Sequence, residues 1–345
     1  MIVRATSDLH LTQRTAVWVF EALEALRADD MENPGATVLV GDILDQASTV
    51  HMPTFNRLRD TLMSFRGSVY VVVGNHDQYG HKGRNALEAL HGHRTERGTI
   101  QVISGPTLTS VGLMFPYIEP ARFWAEVKAL QAEDATMKGG ETKVWWTHQG
   151  WRGSYLNNMR RDRDGLSCKK VTASLVISGH YHLPQNLGPI IYCGSPYETT
   201  FAEEGQIKGW LRWEAKSAES FREAPELPER IPYELSAPKH RTVLWDLEKD
   251  PEAPEGYRDG DKVRVIANGT RDEVKAKADA LKRAGLEVAA IIADTKGTHR
   301  QVIDRNATAQ EAVIQFIDRV YGPDQERVHP ANLHLWADEV ELWQS

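Results

Sequence analysis

An α/β fold follows from three features of this 345-residue chain. Short runs of β-branched and aliphatic residues recur, as in Thr37-Val38-Leu39-Val40 and Val69-Tyr70-Val71-Val72-Val73, and such runs suit buried strands. Stretches with apolar residues at helical spacing lie between the early runs. Most of the runs stop in a polar cluster, and ligands of open α/β sheets collect beyond the strand ends.

Taken in order, residues 2–7 read as a strand that ends in Asp8-Leu9-His10. The two-residue strand period puts Asp8 and His10 on one face and Leu9 on the other. Thr12 is a candidate N-cap for a helix to about Arg27, with Ala16, Phe20, Leu23 and Leu26 on its inner face. The second strand, 37–40, runs into Gly41-Asp42-Ile43-Leu44-Asp45, and Pro53 starts a helix with Phe55, Leu58, Leu62 and Phe65 inward. The third strand stops at Gly74-Asn75-His76-Asp77; Gly-Asn is also ordinary turn chemistry. A short helix is expected around Leu87 and Leu90, and His91, His93 and His51 read as surface histidines. Residues 102–115 suggest a hairpin or a pair of edge strands, and a helix from Pro120 turns Phe123, Val127 and Leu130 inward. Strands at 143–147 and 174–178 end in His148 and in Gly179-His180-Tyr181-His182. A last short strand, 189–193, leads into Gly194-Ser195-Pro196.

Composition bounds the function classes. With 41% hydrophobic and 26% charged residues the chain has material for a core. Its length suggests two domains, or one large domain with an appendage. No apolar run approaches the ~18 residues of a membrane span, and the opening shows no signal-peptide pattern, so no membrane partner is expected. Two cysteines, Cys168 and Cys193, point to a reducing cytoplasm rather than a disulfide framework. The net charge of −7 gives no global attraction to nucleic acid, although local patches and bound cations can reverse the field near a site.

Five strands thus end in carboxylate, imidazole or amide: Asp8, His10, Asp42, Asn75, His76, His148, His180 and His182. A lone core histidine is ordinarily a satisfied one. This many polar groups at successive strand ends would each be costly to bury without partners. A pair of divalent cations resolves the difficulty. Mixed nitrogen and oxygen donors suit Mn²⁺, Fe²⁺ or Zn²⁺ better than Ca²⁺, and the absence of cysteine disfavours a structural zinc.

The order Asp-x-His, Gly-Asp-x-x-Asp, Gly-Asn-His-Asp, a strand-final His and Gly-His-x-His resembles the signature of the calcineurin-like metallophosphoesterases over about residues 1–200. That resemblance implies a sandwich of two β-sheets flanked by helices. Ser7-Asp8-Leu9-His10-Leu11, the segment Tyr192-Cys193-Gly194-Ser195-Pro196 with Phe201 after it, and a further hundred or so residues are most similar to the SbcD-type subunits of bacterial and phage DNA repair exonucleases. The resemblance implies a metal-dependent DNA exonuclease with endonuclease activity, holding two divalent ions, Mn²⁺ first and Mg²⁺, Fe²⁺ or Zn²⁺ as alternatives. Asp8, His10 and His182 would hold one ion and Asn75, His148 and His180 the other, with Asp42 bridging. His76 would be the non-ligand acid and Asp77 the group that orients it. Asp45 stands where archaeal and eukaryotic relatives carry histidine and where the bacterial branch more often has Asp. The resemblance also implies a homodimer built on the helices near Pro53 and Leu87, and an SbcC-type coiled-coil ATPase partner.

The loop after His148 mixes Trp151, Arg152, Tyr155, Arg160, Arg161 and Arg163 with Lys169 and Lys170. Arginine and aromatic side chains together suit phosphate contact and base stacking; the same loop, diluted by Asp162 and Asp164, reads equally as a solvated surface. Pro225, Pro228, Pro232 and Pro238 mark a stiff connection after residue 223. Strands at 242–247, 262–266 and 288–293, with a helix opened by the Thr270 and Glu273 capping box, make a β-α-β unit. The expected organisation is a phosphoesterase domain over 1–223, a small α/β capping domain over 224–300, and a helical partner-binding segment over 301–345. That last segment carries amphipathic stretches around Val313, Phe316 and Val320 and around Leu333, Trp336 and Trp343. Two other classes stay in view: a phosphatase or phosphodiesterase for a small phosphorylated molecule, and a scaffold without catalysis.

Overall fold

The computed structural model describes residues 1–79, 84–133, 143–223, 225–246, 261–268, 272–276, 279 and 288–294. The expected partner-binding segment, 301–345, lies outside the described residues. The chain divides into two compact units. The first comprises Met1–Leu156, Arg161–Tyr197 and Ile207–Ser236; the second comprises Asn157–Arg160, Glu198–Gln206 and the chain from Ala237 on.

The first unit opens with β1 (Ile2–Thr6), α1 (Ala16–Glu32), β2 (Gly35–Val40), α2 (Met52–Met63), β3 (Ser68–Val72) and β4 (Ile100–Ile103). These four strands run parallel as neighbours. The crossovers from β1 to β2 and from β2 to β3 are helical, as parallel pairing requires. The helix after Thr12 begins later and ends later than its apolar spacing predicts. Thr12 Oγ1 accepts the N–H groups of Arg14 and Thr15, which makes a turn ahead of the helix. At the far end Asp29 and Asp30 bind the fully buried guanidinium of Arg4, so the helix continues past Arg27 to deliver them.

Residues 102–115 do not form one hairpin. β4 closes the edge of the first sheet, and the chain then crosses to a second sheet with the hairpin β5 (Thr107–Thr109) and β6 (Gly112–Phe115). There follow α3 (Pro120–Glu133), β7 (Val144–His148), β8 (Leu175–Gly179), β9 (Asn186–Leu187) and β10 (Ile190–Tyr192). The order of this sheet is β5-β6-β7-β8-β10-β9. The chain then returns to the first sheet. β11 (Gly209–Glu214) pairs antiparallel with β1, and after α4 (Ala218–Glu223) comes the edge strand β12 (Glu229–Pro232). The first sheet therefore reads β12-β11-β1-β2-β3-β4.

The two-residue strand period builds the core between the sheets. Val3, Ala5, Val38, Val40, Tyr70 and Val72 of the first sheet share one buried cluster with Met114, Val144, Trp146, Leu175, Ile177 and Ile191 of the second. The alternate residues of the second sheet, among them Phe115, Trp145, Val176 and Tyr192, pack with Phe123 and Val127 of α3. The architecture is a sandwich of two mixed six-stranded sheets flanked by helices.

The second unit holds three parallel strands, β13 (His240–Asp246), β14 (Lys262–Asn268) and β15 (Val288–Asp294). Residues 272–276, between β14 and β15, are helical. Inside this unit Glu198 accepts the N–H groups of Gly205 and His240, and Arg264 lies over the Phe201 ring at 4.7 Å.

Candidate metal centre

The site begins as a backbone problem. β1 and β2 continue to pair after their last strand residues: Asp8 N–H bonds Gly41 O, His10 N–H bonds Asp42 O and Leu11 N–H bonds Ile43 O, all within 3.0 Å. To turn side chains inward there, the chain enters the left-handed region. Asp8, His10, Asp42 and His180 have φ of 53°, 45°, 51° and 90°. Met159 is the fifth non-glycine residue with positive φ among those described. Such a conformation costs a non-glycine residue on the order of 1 kcal/mol or more and concentrates at functional sites.

The glycine ahead of each cluster makes room for a side chain from elsewhere. A Cβ on Gly41 would lie 2.1 Å from His148 Nδ1, one on Gly74 2.2 Å from Asp42 Oδ1, and one on Gly179 2.7 Å from His148 Nδ1. The Gly-Asp, Gly-Asn and Gly-His pairs of the sequence are thus packing requirements of the centre.

The side chains meet in three overlapping groups: Asp8, His10 and His182; His10, Asp42 and His76; Asp42, His148 and His180. Within each group the candidate ligand atoms lie within 4.8 Å of one another. Asn75 joins them through Oδ1, 2.9 Å from His180 Nδ1. Asp42 occupies the middle, with Oδ2 3.2 Å from His148 Nε2 and 3.9 Å from His10 Nε2. All seven residues expected to hold metal converge here.

The donor chemistry fits divalent cations. His148 is fully buried, and its Nδ1 bonds the Val40 carbonyl at 2.7 Å. A carbonyl only accepts, so Nδ1 carries the hydrogen. Nε2 is then the atom left to bind a cation: this buried nitrogen makes no well-formed hydrogen bond, although Asp42 Oδ2 lies 3.2 Å away. This is how a ligating imidazole is normally oriented. His10 Nε2 and His182 Nε2 face each other at 3.1 Å, a repulsive approach for two lone pairs unless a proton or a cation lies between them. Burial works against a charged His148, but Asp42 raises its pKa to about 9. Burial also opposes ionisation of Asp42, and His148 nevertheless holds it below the usual carboxylate range. His180 is half-buried, and loss of hydration together with the neighbouring His148 pushes its pKa down to about 4. A cation here would take over the charge that a proton on His148 otherwise supplies.

His76 sits at the rim with its side chain 43% exposed. Its Nδ1 bonds the Asp45 carbonyl at 2.7 Å, which leaves Nε2 facing the pocket 4.0 Å from Asp42 Oδ2. The expectation that Asp77 orients this ring is corrected. The Asp77 carboxylate is fully buried and accepts the N–H groups of Ile43, Leu44 and Gly74. It ties the turn after β2 to the turn after β3. Asp45 itself lies 3.5 Å from His10 Nδ1.

The arginine-rich loop separates by contact. Arg152 and Lys169 are exposed, as is Arg160, which belongs to the second unit. Arg161 stacks on Tyr155 and bonds its hydroxyl and Gly153 O, so both side chains help shape the loop. Trp151 is not a stacking platform: it is buried against Phe123 and Trp124.

Several supporting residues escape the sequence. Tyr181, between two expected ligands, donates to buried Asp162 at 2.6 Å. Lys208 donates to His182 O, and Tyr197 to Leu9 O. Lys208 and Tyr197 stand outside the metal-ligand motifs, and Tyr181 fills only the variable position of Gly-His-x-His, so nothing in the local pattern marks them.

A sandwich whose strand ends gather this donor set defines a metallophosphoesterase. The chain belongs to the calcineurin-like phosphoesterase family, whose model matches residues 1–184. No curated protein matches. Among solved structures, GAP50, the anchor in the inner membrane complex of Plasmodium, is similar with a TM-score of 0.41 and 11% identity over 68% of this chain and 89% of that one. The family implies metal-dependent phosphoester hydrolysis. No helix among the described residues is long and apolar enough to cross a membrane.

Proposed function

We propose that this protein is a two-metal phosphodiesterase acting on DNA, an exonuclease with endonuclease activity that serves DNA end processing. The observation that carries the reading is the position of Asp42, between the His10 and His148 donors of two ligand groups. Asp8, His10 and His182 would hold one ion and Asn75, His148 and His180 the other, with Asp42 shared. Mn²⁺ suits this mixed donor set, with Mg²⁺, Fe²⁺ or Zn²⁺ as alternatives. A pair of divalent ions held there would supply the positive charge that polarises a phosphodiester and activates water at neutral pH.

The chain's own residues then have separate tasks. Asp42, which His148 holds below the usual carboxylate range despite its burial, would turn negative charge toward a bound cation. His76, held by Asp45 O and open to solvent, is placed to deliver a proton to the departing oxygen from Nε2. DNA as substrate is supported by the Gly-Ser-Pro block and by exposed Arg152, Arg160 and Lys169. On this reading α2 and the short helix near Leu87 contribute to a homodimer, and residues 301–345 dock on an SbcC-type coiled-coil ATPase.

The test offers three substrates to the purified full-length protein with Mn²⁺ or with chelator: labelled linear duplex DNA, a bis-aryl phosphodiester and an aryl phosphomonoester. The proposal expects Mn²⁺-dependent cleavage of the first two. Hydrolysis confined to the monoester would replace it with a small-molecule phosphatase. Co-expression with an SbcC-type subunit should give co-elution on size exclusion; separate elution would remove the ATPase partner.

A further inference from the structure

His182 is held differently from the other expected ligands. Asp8 and His10 sit on backbone that continues the β1–β2 pairing, and His148 closes β7 within the second sheet. His182 comes two residues after the left-handed turn at His180 and outside any strand. Its carbonyl oxygen meets two donors from the returning chain. Ser195 N–H reaches it at 3.1 Å and Lys208 Nζ at 2.8 Å.

The same short segment touches the other half of this ligand group. Lys208 Nζ also bonds Ser195 Oγ at 3.1 Å, and Ser195 Oγ donates to Tyr197 O at 2.8 Å. Tyr197 Oη donates to the carbonyl of Leu9, between Asp8 and His10, at 2.8 Å. Lys208 immediately precedes β11, which pairs with β1, the strand that presents Asp8 and His10. One chain of hydrogen bonds therefore runs from the backbone of His182 to the backbone of Leu9. Lys208 is 8% exposed. An ammonium that gives up most of its hydration to bind a ligand's carbonyl is expensive as mere packing.

We propose that Lys208, with Ser195 and Tyr197, is a positioning device that sets His182 against His10 and so fixes the affinity of the ion held by Asp8, His10 and His182. It rests on the two-metal reading above. Outer contacts of this kind change metal affinity by about 10–100-fold when removed. The ion on Asn75, His148 and His180 has no backbone in this chain of bonds, so its affinity stays as it is.

The experiment is a Mn²⁺ titration of the full-length apoprotein by calorimetry, for the natural chain, Lys208→Met, Lys208→Arg and Tyr197→Phe. The natural chain should bind two ions. In Lys208→Met one of the two binding steps weakens by about 10–100-fold and the other holds, and raised Mn²⁺ restores kcat. Lys208→Arg recovers part of the loss. Tyr197→Phe keeps the ring against Trp18 and weakens the same step to a smaller degree. Equal weakening of both steps, or none, in Lys208→Met overturns the positioning role. If Lys208→Met unfolds, Tyr197→Phe decides: an unchanged titration there also overturns it. A natural chain that binds fewer than two ions removes the two-metal reading instead, and the variants are then irrelevant to it.

Discussion

The two sheets bring different chemistry to the same pocket. The first sheet, through the turns after β1, β2 and β3, presents Asp8, His10, Asp42 and Asn75. The second, through the ends of β7 and β8, presents His148, His180 and His182. The first side ties itself together: Asp42 accepts His76 N–H, and Asp77 binds the turns after β2 and β3. The second side is placed by what the first leaves open. His148 fits over Gly41 and Gly179, and Asp8 receives the His180 N–H at 3.0 Å. The first side, His10 included, thus comes with its own scaffold, whereas the imidazoles of the second side depend on the sandwich having closed.

Replacing the residue shared by both sides should break this arrangement most severely. Asp42→Ala is expected to reduce Mn²⁺-dependent hydrolysis of a bis-aryl phosphodiester to background. Turnover near the natural rate would mean that the two ligand groups act without a common carboxylate.

His76 belongs to the first sheet by sequence but stands outside the buried set. Its replacement by Ala should lower kcat by roughly 10²–10⁴, the range for a lost general acid, while elemental analysis still finds both metals. A protein that loses one ion on this change would make His76 a ligand, and the first sheet would then supply an additional donor.

The dependence of the imidazoles on space can be measured through stability. Gly41→Ala combines a Cβ 2.1 Å from His148 Nδ1 with a φ of 85°. Roughly 1–2 kcal/mol for the backbone and about 1–3 for overpacking give an expected loss of roughly 2–5 kcal/mol in urea unfolding. Gly92 has φ of 80° with nothing within 4 Å of its Cβ position, so Gly92→Ala isolates the backbone part. Equal losses in the two variants would deny any special packing of His148 on the first sheet.

The smallest effect belongs to the exposed loop beyond β7. Arg152→Ala should reduce the slope of DNA affinity against salt by about 1 on the logarithmic scale. A slope that does not move would place the DNA path away from this loop.

Much of the centre was legible in the sequence because strand ends are local features. A run such as Val69 to Val73 must be buried, and the polar residues that stop it must then lie at the rim of a sheet. Asp8, His10, Asp42, Asn75, His148, His180 and His182 all declare themselves in that way, and all seven lie within the stretch, 1–184, that the family model matches. The sandwich was less legible: strand patterning alone does not say that residues 102–115 divide between two sheets, because edge strands of either sheet look alike.

Contacts between distant segments were decided by the tertiary structure. Asp77 reads as a partner for its neighbour His76, yet a fully buried carboxylate seeks the nearest unpaired N–H groups, and those belong to Ile43, Leu44 and Gly74. Trp151 reads as a stacking surface, yet its indole is taken up by the aromatic core under α3. Lys208 carries no local signal, since a lysine before a strand is ordinarily solvated; only the return of the chain beside β1 brings its ammonium to His182 O. Sequence determined which residues end strands, through hydrophobic periodicity and turn chemistry. Hydrogen-bond satisfaction in the closed sandwich determined which of them hold one another in place.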